Sequence, residues 1–230
     1  MGEGEFSRID GLIGEENRCK LQRSSVAIFG LGGVGAAAAE GIARSFVGNI
    51  HLFDSDLVEK SNLNRQLCAL NSCIGMKKTD AIALRIKDIN LQSVVYKNSI
   101  FFDESTVDLI DFTEFDFIID AIDTVDSKIL LIETAQKFSV PIASSLGTAN
   151  KLHPELLRVS NIYNTDTCPL AKVIRRKMRE KNLQNIPVVY STEKPIREIS
   201  TGGFLPSGAF VPNAAGFILG SIAVNHLISL

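Results

Sequence analysis

The chain has 230 residues, 45% hydrophobic and 22% charged, with a formal net charge of −2. That length and apolar fraction can bury one large core, so a single domain over 1–230, at most with a small appendage, is expected. The near-neutral balance excludes a bulk polyanion binder and confines any nucleic-acid contact to a local patch.

Cys19, Cys68, Cys73 and Cys168 have no C-x-x-C spacing, which argues against a structural zinc site. The N-terminal residues, with Glu3, Glu5 and Arg8, form no apolar signal stretch. A cytoplasmic protein with reduced thiols and no stable membrane insertion is expected.

In chain order, Ile9–Leu21 carries a weak helical pattern. Val26–Phe29 is a short apolar run, too short for a helix, that runs straight into glycines. Gly30, Gly32 and Gly35 fit G-x-G-x-x-G, with Gly33 as an extra glycine, and Ala36–Ala39 open a helix predicted to reach Phe46. Asn49–Phe53 reads as the next strand. It ends at Asp54, with Asp56 just beyond. Glycines let backbone N–H groups approach a phosphate, the helix N-terminus adds the positive end of a dipole, and a carboxylate about 20 residues on suits ribose hydroxyls. A glycine-rich turn that only packs a helix on a sheet is the plainer alternative. The ordered strand, turn, helix, strand and terminal acid outweigh it.

Leu57–Gln66 is a long polar loop offering Asn62, Asn64, Arg65 and Gln66. A loop of that length and polarity is often functional. A helix is predicted from Gly75 to Ile89, with Ile82, Ile86 and Ile89 on its apolar face. Lys77 and Lys78 fall in its first turn, where cations oppose the helix dipole, which fits a lysine held for an anionic ligand. Val94–Tyr96 and Phe115–Ile119 read as strands, the second continuing into Asp120-Ala-Ile-Asp123. Thr124–Phe138 reads as a helix and Val140–Ser144 as a buried strand.

This alternation predicts an α/β, Rossmann-like, doubly wound and mostly parallel sheet, with residues 26–147 as the nucleotide-binding core. Residues 148–230 read as an α+β extension for substrate and dimer contacts. It holds a strand at Leu156–Val159, a helix at Cys168–Lys181, a strand at Pro187–Tyr190, and a loop over 193–208 with Gly202 and Gly203. Pro212–Leu230 is an apolar helix near membrane-span length. Its polar interruptions at Asn213, Asn225 and His226 favour a core or dimer helix.

A dinucleotide dehydrogenase needs room for two nucleotide halves and a hydride acceptor. Here the crevice collects Arg65, Lys78, Asp54 and Asp123 instead. Two cations suit a triphosphate, and Asp123 suits Mg²⁺, which is held by one or two carboxylates plus phosphate oxygens. The matching reaction is attack of an acceptor oxygen on the α-phosphate with pyrophosphate leaving, driven by positioning and charge neutralisation.

G-L-G-G-V-G, D-S-D, S-N-L-N-R-Q, G-M-K-K and D-A-I-D, in that order over 26–123, resemble the ubiquitin-activating-like adenylating superfamily that includes MoeB and ThiF. D-T-C-P-L-A-K-V-I-R-R-K-M-R, V-V-Y-S-T-E-K-P and F-V-P-N-A-A-G, with F-S-R near the start, look like its tRNA threonylcarbamoyladenosine dehydratase branch. That resemblance implies ATP-dependent adenylation of the threonyl carboxylate of the modified adenosine in tRNA, followed by loss of water and ring closure. It also implies site roles. Gly30, Gly32, Gly33 and Gly35 would cradle phosphates. Asp54 would hold the ribose with Asp56 nearby. Asn62, Arg65 and Lys78 would bind the triphosphate, and Asp123 would hold Mg²⁺. Arg8 would reach the ATP site of the other subunit of a homodimer.

Asn90 is followed by Leu91, where the superfamily often has Asn-Pro, and the paired zinc C-x-x-C motifs of MoeB and ThiF are missing. Ring closure has no clear base in the sequence. The alternative within this chemistry is adenylation of the C-terminal carboxylate of a ubiquitin-like sulfur carrier, and a sulfur-transfer partner is left open. A non-catalytic nucleotide-binding module is a third class, disfavoured by intact Arg65, Lys78 and Asp123.

Lys172, Arg175, Arg176, Lys177, Arg179 and Lys181 place six cations in ten residues. Periodicity leaves two readings, a tRNA phosphate patch or the solvated face of a helix whose core stripe is Leu170, Val173, Ile174 and Met178. The resemblance favours tRNA, with Lys172, Arg175, Arg176 and Arg179 as its contacts. Cys168, before Pro169 at a helix start, suggests either a reactive thiolate or packing, and packing is favoured. His51, His153 and His226 form no ligand cluster and take no role.

Overall fold

In the computed structural model, residues 4–196 and 205–229 are described. The elements are α1 (Ser7–Ile13), α2 (Glu15–Arg23), β1 (Ser25–Phe29), α3 (Gly33–Arg44), β2 (Asn49–Phe53), α4 (Lys78–Ile89), β3 (Val94–Asn98), β4 (Phe117–Asp120), α5 (Val125–Lys137), β5 (Ile142–Ser145), β6 (Leu157–Asn161), α6 (Pro169–Glu180), β7 (Pro187–Ser191) and α7 (Phe210–Ile228).

Several boundaries differ from the sequence expectation for local reasons. The helix expected over Ile9–Leu21 is two helices, broken at Gly14, whose φ of 82° is left-handed and so suited to glycine. Gly75, also left-handed at φ 87°, stands outside α4 rather than opening it. Lys77 caps the helix and Lys78 is its first residue. β4 starts at Phe117 because Phe112–Glu114 form a short 3₁₀ turn, closed by the Asp111 carboxylate accepting from the Thr113 N–H at 2.9 Å. Gly202 and Gly203 of the expected loop lie outside the described residues.

One seven-stranded sheet runs β3-β2-β1-β4-β5-β7-β6. Every neighbouring pair is parallel except β6 with β7. Successive strand residues face opposite sides. Val26 and Ile28 enter the core layer under α3, α4 and α7. Ala27 and Phe29 enter the second layer, under α5 and α6, with Phe53, Phe102 and Phe112.

α7 is long and apolar enough to cross a membrane by length and composition alone. Its inner face, Val211, Ala215, Leu219, Ala223 and Leu227, is at most 4% exposed within the protein core. It crosses α3 so closely that a Cβ on Gly216 would stand 2.1 Å from the Val34 carbonyl oxygen.

Candidate active site

β1 connects towards β2 and β3 on one side, while the chain later returns to place β4, β5 and β7 on the other. The ends of β1 and β4 therefore form the switch point where open α/β sheets bind ligands. Gly30 occupies this point at φ 86°, and a Cβ there would meet the Ala121 carbonyl oxygen at 2.7 Å. Gly35 is tighter still, because a Cβ would overlap the Gly30 carbonyl oxygen at 1.7 Å. Gly35 thus seats α3 on β1 and does not line the cleft. Gly33 lies under Pro212 and the Arg65 carbonyl. Gly32 has open space beside it, with only Gln66 Nε2 at 3.9 Å. The four glycines therefore divide. Gly35 serves only the turn, Gly30 serves the turn and also lines the cleft, and Gly32 and Gly33 face the cleft at the free N–H groups of the α3 N-terminus.

Asp54 closes the opposite wall. Its carboxylate accepts from the Leu31 N–H at 2.6 Å and from the Asp56 N–H at 2.8 Å. Burial pushes its pKa up, while the Lys78 charge and these two hydrogen bonds pull the other way. Lys78 Nζ donates to Asp56 Oδ2 at 2.7 Å and lies 3.9 Å from Asp54 Oδ1. The cation that opposes the α4 dipole is thus neutralised by the two aspartates of D-S-D.

Asn62 sits in a reciprocal capping arrangement with Glu59, its Oδ1 accepting from the Glu59 N–H at 3.0 Å. This fixes the loop that presents Arg65. The Arg65 guanidinium donates to the Ser61 carbonyl at 3.0 Å and to Asn64 Oδ1 at 2.8 Å. The Arg65 carbonyl accepts from Asn213 Nδ2 of α7 at 2.8 Å. Asn213, read from sequence only as an interruption of an apolar helix, ties that helix to the loop.

Gly30, Gly32, Gly33, Asp54, Asp56, Asn62, Arg65, Lys78 and Asp123 line one cleft of about 1540 Å³. Asp123 is exposed at its rim, with Thr124 Oγ1 donating to it at 3.4 Å. Arg8 lies on α1, exposed, and is not among the described residues lining this cleft.

Sequence reasoning missed the device behind Asp123. Asp120, Lys128 and Ser144 are all 0% exposed. Lys128 Nζ donates to Asp120 Oδ2 at 2.6 Å and to Ser144 Oγ at 3.0 Å. Asp120 Oδ1 accepts from the Ile122 N–H at 3.0 Å, which shapes the turn into Asp123. The available signal was the pairing of a strand-terminal Asp with a Lys near the start of the following helix.

The basic residues of α6 divide as well. Lys172, Arg176 and Arg179 are exposed, with Arg179 over the Tyr163 ring. Arg175 turns inward to donate to the Thr165 carbonyl at 2.6 Å. Lys177 pairs with Asp126 at 2.8 Å and Lys181 with Glu133 at 2.6 Å. Cys168 caps α6, is 3% exposed and lines the cleft. His51 is buried against Tyr96, and burial pushes its pKa down to about 4.

Residues 7–201 match the ThiF family. The chain belongs to the ThiF family. Among its relatives is a protein of Bacillus subtilis (strain 168) named tRNA threonylcarbamoyladenosine dehydratase, 39% identical over 97% of this chain and 94% of that one. A crystal structure of Escherichia coli tRNA N6-threonylcarbamoyladenosine dehydratase, TcdA, superposes with a TM-score of 0.90 at 28% identity, covering 98% of this chain and 94% of that one. That protein has been crystallised with ATP and with AMP. Similarity extends to the adenylyltransferase and sulfurtransferase MOCS3 of Drosophila yakuba, 30% identical over 70% of this chain but only 34% of that one.

Proposed function

We propose that this chain is an ATP-dependent tRNA threonylcarbamoyladenosine dehydratase. The observation that carries the reading is the full-length similarity to the B. subtilis dehydratase, in a chain whose ribose-type aspartate, glycine turn and two cations line a single cleft.

Asp54 at the end of β2 accepts hydrogen bonds from ribose hydroxyls. The N–H groups at the start of α3, beside Gly32 and Gly33, receive the phosphates. Arg65 and Lys78 stabilise the charge that develops at the α-phosphorus. A carboxylate oxygen of the threonylcarbamoyl group attacks that phosphorus, and the bond to the bridging oxygen breaks with its electron pair leaving on pyrophosphate. The acyl adenylate now carries AMP where it carried hydroxide, and AMP is far the better leaving group. Attack by the neighbouring urea on the acyl carbon expels AMP and closes the ring, with one proton lost from the urea nitrogen. The net change is loss of one water from the nucleoside and conversion of ATP to AMP and pyrophosphate.

Asp123 suits Mg²⁺. It is a single exposed carboxylate at the cleft rim, and no group of three His, Cys, Asp or Glu side chains is placed to hold a metal among the described residues. One carboxylate with phosphate oxygens is the habit of this ion. Bound there, the ion would neutralise phosphate charge. Exposed Lys172, Arg176 and Arg179 supply the tRNA backbone contacts, with Arg175 as their internal brace. Arg8 acts across a homodimer, and the reaction takes place in the cytoplasm with its tRNA substrate.

The test is mass spectrometry of nucleosides from tRNA bearing threonylcarbamoyladenosine, after incubation with protein, Mg²⁺ and ATP. ATP-dependent loss of one water is expected. An unchanged mass with intact ATP binding overturns the reading. In that case the MOCS3 similarity favours adenylation of a small carrier protein's C-terminal carboxylate. For Arg8, mixing Arg8→Ala with Lys78→Ala protomers should restore activity that neither has alone. No recovery in a verified mixed dimer rejects the cross-subunit role.

A further inference from the structure

The cleft holds a second lysine, beside Lys78, that neither the motifs nor the resemblance marked. Lys151 follows β5, lines the cleft, and is 6% exposed. Its ammonium donates to the backbone carbonyl of Glu193. The Glu193 carboxylate itself is taken up by the N–H groups of Leu152, at 3.1 and 3.2 Å, and of His153, at 3.0 Å. Among the described residues, no carboxylate lies within ion-pair distance of Lys151 Nζ. Lys78 and Lys128, by contrast, each meet an aspartate.

The backbone around Lys151 is clamped. The Asn150 N–H donates to the Pro206 carbonyl at 2.7 Å, and the Ile196 N–H donates to the Asn150 carbonyl at 3.1 Å. A fixed, buried ammonium with no carboxylate in direct contact is costly unless it loses its proton or an anion arrives. Burial does push the Lys151 pKa down, against the opposing pull of Cys168 and Glu193.

The sheet acts as a ruler for which anion this is. On the dehydratase reading, ribose would lie at the end of β2 and the phosphates at the end of β1. β5 is two strands beyond β1, roughly 10 Å at the usual strand spacing. With the departing pyrophosphate held by Arg65 and Lys78, in-line attack on the α-phosphate comes from the opposite side, over β4 and β5, beside Lys151. Cys168, Pro169 and Leu170 line the same cleft at the start of α6. A nucleic acid held on the exposed cations of that helix would enter the cleft at this end.

We propose that Lys151 is a specificity-determining residue that receives the carboxylate of the threonylcarbamoyl group and so selects an anionic acceptor. This rests on the dehydratase reading. One carboxylate oxygen is held at Lys151 Nζ and the other is free to attack.

The test uses the full chain with an anticodon stem-loop RNA carrying either threonylcarbamoyladenosine or its carboxamide, binding being measured by competition. Wild type should prefer the carboxylate by roughly tenfold or more, the worth of about 1.4 kcal/mol. Lys151→Met should bind both RNAs alike, at the wild-type affinity for the amide, with ATP affinity unchanged. Lys151→Arg should keep part of the preference. If Lys151→Met does not fold, Lys151→Gln, which retains a hydrogen-bond donor, serves for the same comparison. Undiminished preference in the neutral variant rejects the proposal, and so does loss of ATP affinity, since Lys151 would then serve the phosphates. Wild type that binds both RNAs alike also rejects the proposal, while the dehydratase reading stands or falls separately on ATP-dependent loss of one water from the carboxylate RNA.

Discussion

Lys128 and Lys78 both stand near the start of a helix and both meet an aspartate at the end of a strand. Lys128 and Asp120 are sealed, each side chain 0% exposed, with Ser144 completing the cluster. Lys78 is just as deeply placed at 7%, but its partner Asp56 is 65% exposed and both line the cleft. A sealed pair has no second partner to find, so it can only fix geometry. A pair with one side in the cleft can loosen one contact and take up a phosphate oxygen. The same two residue types thus brace one strand end and face the cleft at another, where the proposed function gives them a ligand.

The largest expected effect tests the sealed pair. Lys128→Met leaves Asp120 buried and unpaired and should cost about 3–5 kcal/mol of stability, read as a large fall in the denaturant midpoint. A midpoint close to wild type would mean that the pair is not the brace described. At the open pair, Lys78→Ala should keep its fold, and so should Arg65→Ala on the facing loop. Each should lose roughly 10²–10³ in turnover, as removal of a charge-stabilising donor does. Near-normal rates in either variant would undo the contrast from the other side.

Asn213→Ala sharpens the comparison at a remove. It deletes the hydrogen bond between α7 and the Arg65 carbonyl, about 1 kcal/mol, together with one inside α7 to the Ala209 carbonyl. The KM for ATP should rise several-fold with kcat little changed. An unaltered KM would show that the loop holds Arg65 without help from α7.

A last test, read only below about pH 6.5, supplies an acid-stability baseline from a residue of neither pair. Burial lowers the His51 pKa from 6.5 to about 4. Between those values the unfolded chain binds the proton and the folded one does not, so stability rises with pH across that window and its contribution is level above about 6.5. A His51→Phe variant should lack that slope in a pH series of urea midpoints. An identical slope in the variant would assign it to other groups.

Much of the nucleotide half was legible because its signals are local. The Val26–Phe29 run, the glycine spacing and the acid after Phe53 sit within one strand–helix–strand unit, and each element appears within a residue or two of expectation. Errors there were also local. Gly14 and Gly75 take left-handed conformations, so glycine marks a break in one case and a pre-helical turn in the other. In the C-terminal stretch the elements were legible, but the uses of their side chains were not. Arg175 reads as a surface cation until Thr165 is placed beside it, and Asn213 reads as a flaw in an apolar helix until Arg65 is.

By itself the sequence determined the α/β architecture, the glycine turn, the acidic strand ends and the family to which the chain belongs. These follow from hydrophobic period, backbone freedom and short-range order along the chain. Only the tertiary structure decided which charges are spent on each other and which face the cleft. Lys128 depends on Ser144, Arg65 on Asn213, and Lys151 on a Glu193 carboxylate already claimed by backbone N–H groups. Burial and pairing depend on which distant segments pack together, and no spacing along the chain encodes that.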